Sequence, residues 1–160
     1  MNIFVRIMLA AGLCLAGCSS QPRRSESSTS RDRLQSLAFS LQAGSITRIE
    51  VFHVPVRVET PVALSAGDLE RTFDYRLTLQ TSPSPHATKT LVSALRDSRV
   101  YESNDKPDVR FGVIFYGPNA NRVGSIYLGG DCKRGQVDQI SIEYVGGLCS
   151  WATHALSGVL

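Results

Sequence analysis

The chain has 160 residues, 42% hydrophobic, 19% charged and 8% aromatic, which fits one globular domain with short additions. Its net charge of +3 lies outside the expected domain: residues 34–160 hold 12 Lys and Arg against 12 Asp and Glu, while the surplus sits at Arg6 and in residues 18–33. A nucleic-acid binder carries its positive charge on the folded surface, so this distribution argues against nucleic acid as a partner.

Residues 1–17 read as a signal segment: a short positive start with Arg6, then an apolar run of residues 7–16. That run is too short to span a bilayer, which needs ~20 residues. It ends in Leu15-Ala16-Gly17-Cys18, which resembles the lipobox of bacterial lipoproteins. The resemblance implies that Cys18 carries a thioether-linked diacylglycerol and, after cleavage before it, an acylated amine. Cys14 is the poorer candidate, because bulky Leu13 precedes it. Ser19 in place of aspartate implies the periplasmic face of the outer membrane, or the cell surface for a Gram-positive source. Lipid on Cys18 is the only bound group expected, and two or more acyl chains anchor stably.

Residues 18–33 are rich in Ser, Arg and Gln with almost no apolar side chains, the composition of a disordered tether. Arg23, Arg24, Arg31 and Arg33 either rest on anionic headgroups or only solubilise the linker. The domain is expected over 34–160. Leu34, Leu37, Ala38 and Leu41 have helical spacing, as a short helix or a frayed lead-in that Gly44 ends.

Residues 46–59 are β-rich, but their apolar face changes parity near Val51-Phe52 and Pro55 interrupts them, which predicts a bulge or an edge strand. Ser65-Ala66-Gly67-Asp68 resembles a capping box opening one helical turn. Phe73, Tyr75, Leu77 and Leu79 alternate with polar residues, as in a half-buried strand. Ser84-Pro85 opens a helix running to about Asp97. Val109, Phe111, Val113 and Phe115 form a strand, residues 116–122 a turn, and 123–128 the returning arm of a hairpin. A further strand over 139–145 and a closing helix from Leu148 through Trp151 to Val159 complete the chain. The predicted fold is α+β: a small antiparallel sheet with helices packed on one face, two layers in a single domain.

With Cys14 and Cys18 assigned to the leader and the anchor, Cys132 and Cys149 remain. In an oxidising compartment they read as a disulfide, the alternatives being a metal pair or a redox couple, which lack CxxC spacing or a nearby histidine. No catalytic or metal residue is assigned. His53, His86 and His154 lack ligand spacing, no G-x-S-x-G or phosphate-binding loop is present, and Asp105 and Asp108 sit in a polar loop.

Two loops are candidate partner-binding surfaces. The hairpin tip offers Tyr116, Asn119, Asn121 and Arg122, and Tyr and Arg are over-represented at interface hot spots. The loop before the last strand offers Lys133 and Arg134, pre-organised by the expected disulfide. The resulting expectation is a membrane-anchored, non-enzymatic protein-binding module, in one version an inhibitor or immunity protein against a cell-wall-degrading enzyme. The alternatives are a structural or assembly subunit of an envelope or secretion machine and, behind it, an envelope hydrolase.

Overall fold

A computed structural model of the chain describes residues 26–54, 63–71, 76–81 and 85–158. The lipobox with Cys18 and the interruption at Pro55 lie outside them. One seven-stranded antiparallel sheet organises the domain: β1 (Arg48–His53), β2 (Arg76–Gln80), β3 (Arg99–Glu102), β4 (Val109–Tyr116), β5 (Arg122–Gly129), β6 (Arg134–Val137) and β7 (Ile140–Val145), in the order β2-β1-β4-β5-β6-β7-β3. Among the described residues four α-helices accompany it: α1 (Ser28–Gln42), α2 (Ala66–Arg71), α3 (Pro85–Arg96) and α4 (Leu148–Leu156). The α+β fold predicted from the pattern is the one observed.

The alternation of β4 and β5 explains the main core. Val113 and Phe115 point to one face with Ile126 and Leu128, where α1, α3 and α4 cover them with Leu34, Leu37, Leu91, Leu95 and Trp151. Helix α3 lies between α1 and α4. Trp151 is buried and its indole Nε1 donates to the Ala87 carbonyl, 3.1 Å, so its one polar group is satisfied inside the core. A second, smaller core forms on the other face, where Leu69 of α2 meets Phe52, Ile114 and Tyr127. This short helix therefore departs from the one-face arrangement. Gly112 makes room for it: a Cβ there would lie 2.9 Å from a Leu69 methyl and 3.0 Å from the Tyr127 ring.

That second core corrects the reading of residues 46–59. Strand β1 is neither an edge strand nor bulged over Arg48–His53, for it pairs without a break to both β2 and β4. The parity change arises because Ile49 and Val51 face the three long helices while Phe52 faces α2, so both faces need apolar residues. Among the described residues the register shifts instead in the β4–β5 pair, between Val109 and Phe111 and between Phe115 and Tyr116.

The ordered chain also starts earlier than Leu34. Helix α1 begins at Ser28, capped by Ser27, whose side chain accepts from Ser30 N–H. Ser27 N–H donates to the Val100 carbonyl, and Glu26 bridges Tyr101. Residues 26–33, expected in the tether, are thus fixed to the edge strand β3. They looked like linker because only Ser30 of this added turn and a half faces the core, and it is polar. Arg33 is bound as well: its Nε donates to Asp138, 2.7 Å, and its Nη2 to the Val123 carbonyl. Its guanidinium is thus engaged within the fold.

Two strands escaped the sequence pattern. In β3 only Val100 is buried, and β6 reads Arg-Gly-Gln-Val. Both are too short to show a period of two. Gly135 in β6 is dictated by packing, since a Cβ there would lie 2.2 Å from the Tyr127 carbonyl oxygen.

Candidate functional site

The capping box is present as read. Asp68 accepts from the Ser65 backbone N–H and hydroxyl, and Asp68 N–H donates to Ser65 Oγ. These bonds, with Arg71 at 2.7 Å, hold the Asp68 carboxyl down at about 2. Cys132 and Cys149 form the expected disulfide, with Cα atoms 6.2 Å apart. It joins the β5–β6 loop to the first turn of α4.

The two candidate loops stand at opposite ends of β5, whose eight residues separate them by roughly 25 Å. They cannot form one patch. At the hairpin end, Pro118, Asn119, Ala120, Asn121 and Arg122 are all exposed. Asn119 and Ala120 adopt φ of 60° and 57°, and Gly117 N–H donates to the Asn121 carbonyl across the turn. At the other end, Lys133 N–H donates to Asp131, and Arg134 pairs with Asp131 and Asp105 at 3.5 and 3.8 Å. Arg134 lines a shallow cleft of about 380 Å³ with Lys106, Asp108 and Asp131. Charge there is balanced within the cleft.

Of the four tip residues, two are anchored in the sheet. Tyr116 donates its hydroxyl to Glu50 Oε2, 3.1 Å, and carries the Arg48 guanidinium 4.1 Å above its ring. Burial, then the nearby Glu50 charge, raise the Tyr116 pKa, so the hydroxyl stays protonated. Arg122 donates to Glu70 Oε1 of α2 and to the Tyr127 hydroxyl, which itself donates to Glu70. Asn119 and Asn121 form the outward part of the turn.

Glu50, Arg48 and Arg76 were not singled out by the sequence. Glu50 lies on the α2 side of the sheet with only 4% of its side chain exposed. Arg76 reaches its Oε1 at 2.7 Å and Arg48 the same oxygen at 3.6 Å. Arg76 is 5.2 Å from the Phe52 ring centre. The only signal in the sequence is the charged pair Arg48 and Glu50 two residues apart, hence on one strand face; the partner strands that complete the cluster are set by register.

His53, His86 and His154 stand on three different elements, β1, α3 and α4. Asp108 accepts from Leu64 N–H and pairs with Arg110, while Asp105 belongs to the Arg134 pair. Among the described residues no group of three or more His, Cys, Asp or Glu is placed to hold a metal ion, and no helix is long and apolar enough to cross a membrane. Comparisons with known protein families, with curated proteins and with solved structures found no match.

Proposed function

We propose that this protein is a lipid-anchored binding module of the bacterial envelope that engages a protein partner through its β4–β5 hairpin tip, acting as an inhibitor of a cell-wall-degrading enzyme. The observation that carries the reading is the tip itself: five successive exposed residues, two of them in the left-handed region, held by a cross-turn hydrogen bond and by Arg122 pinned to Glu70. A projection already ordered before contact loses little entropy on docking into a cleft.

The anchor rests on the lipobox resemblance at Cys18, with the outer membrane as its site and no bound group besides the lipid. Glu26 is fixed to β3, so eight residues, 18–25, separate the proposed anchor from the fold. Eight residues reach at most about 28 Å. The domain would thus stay close to the membrane, with its β3 edge nearest the attachment point.

The test is a titration of the purified mature chain into peptidoglycan hydrolases of its own envelope and of competing bacteria. A one-to-one loss of one hydrolase's activity is expected, abolished by Asn119→Arg and kept by Lys133→Glu. Full hydrolase activity at saturating chain would overturn the inhibitor reading. In cells, labelled palmitate should enter the chain and be lost with Cys18→Ala.

A further inference from the structure

The cluster around Glu50 contains one carboxylate and two guanidinium groups. One well-placed cation balances the charge of a buried carboxylate, whose remaining lone pairs need further hydrogen bonds. Here Arg76 and Arg48 share the same Glu50 oxygen at 2.7 and 3.6 Å, while the Tyr116 hydroxyl takes the other. Glu50 is therefore engaged through both oxygens, and among the described residues of the cluster the guanidinium groups outnumber the carboxylate by one. The carboxylate is 4% exposed, whereas Arg48 and Arg76 are 31% and 35% exposed. The negative member is covered and the positive members reach solvent.

The two guanidinium groups are also held in orientation. Arg48 lies over Tyr116 and Arg76 over Phe52. A guanidinium seated on an aromatic ring keeps its N–H groups in the plane of its edges, where they suit the two oxygens of a planar carboxylate. Much of the side-chain entropy that a free arginine loses on binding is already lost here.

We propose that Arg48 and Arg76, clamped on Glu50, form an oxyanion-binding clip that takes an acidic side chain of the protein partner. This rests on the reading of the chain as a binding module and supplies the chemistry of the contact. The clip adjoins the tip, since Arg48 is paired in register with Tyr116 and Tyr116 with Arg122. A partner seated on the tip would cover both. It also lies far from the anchored edge of the sheet: five strand spacings separate β1 from β3, roughly 24 Å.

The test is nuclear magnetic resonance of the mature chain, residues 18–160 with Cys18→Ser, followed at the arginine side-chain Nε–H signals. The probes are an acetylated, amidated hexaglutamate peptide and, separately, inorganic phosphate. Saturable shifts at Arg48 and Arg76 are expected with the peptide, at least tenfold tighter than any at Arg99 and Arg134. Gln80 stands opposite Arg48 in register, and Gln80→Glu supplies a competing carboxylate without removing any contact. It should weaken the peptide about tenfold while the rest of the spectrum keeps its dispersion. Shifts of equal strength at all arginines, or none at Arg48 and Arg76, would overturn the clip. Tighter binding of phosphate than of peptide would overturn the partner carboxylate as its occupant. Hydrolase inhibition without peptide binding would remove the clip alone; peptide binding without inhibition would remove the inhibitor reading alone.

Discussion

On the helix-covered face of the sheet, the one under α1, α3 and α4, Val51, Val113, Phe115 and Ile126 stand side by side across β1, β4 and β5 within the main apolar core. One residue along each strand, on the other face, the sequence of side chains is Glu50, Ile114 and Ser125, flanked by Tyr116, Arg48 and Arg76. Both sets are buried at Val51, Glu50, Ile114 and Ser125. The first set is held by exclusion of water and tolerates any partner of the right shape. In the second, Ile114 belongs to the smaller core under α2, while the polar groups beside it are held by directed bonds, where a missing partner leaves a buried polar atom.

The difference can be measured by removing one residue from each face. Phe115→Ala should have the largest effect, a loss of about 3–5 kcal/mol in urea denaturation, because it removes a fully buried ring and leaves a cavity. Opening the disulfide with Cys132→Ser and Cys149→Ser comes next. The bridge closes a 17-residue separation, so about 3 kcal/mol should be lost. Glu50→Gln should cost less, about 2 kcal/mol, since it weakens charge-assisted bonds to two arginines that are each part exposed. If Glu50→Gln proved as damaging as Phe115→Ala, the polar face would be the main source of stability and the clip would be a structural device.

The same contrast governs what the residues alone could reveal. Strands β4, β5 and β7, helix α3 and the Ser65–Asp68 box were legible because each carries a local period or a cap. The disulfide was legible by elimination among four cysteines. The apolar parity of residues 49–52 misled, because a second core under α2 needs Phe52, and Leu69 gives no sign of where it packs. The start of α1 was hidden because its first turns are fixed by Ser27, Glu26 and Arg33, whose partners Val100, Tyr101 and Asp138 lie far along the chain. For the same reason the tip residues Tyr116 and Arg122 could be named, while their anchors Glu50 and Glu70 could not. Long-range polar pairs leave no period in a sequence.

The smallest expected effect tests a titratable group on the apolar side. His53 ends β1 on the helix-covered face and stacks on Phe111, with ring centres 4.2 Å apart and planes 6° from parallel. Burial lowers its pKa below the usual 6.5. At higher pH the ring is neutral in both folded and unfolded chains and costs nothing. As pH falls through 6.5 the unfolded chain takes up the proton first, so stability declines until the folded-state pKa is passed and then levels off. Because His53 is only part buried, the decline should be shallow. Chemical denaturation of wild type from about pH 7.5 down to pH 5 should show it, and His53→Gln should remove that component while retaining His86 and His154. A slope unchanged in His53→Gln would place the proton-sensitive group elsewhere, and the helix-covered face would then hold no titrating contribution from β1.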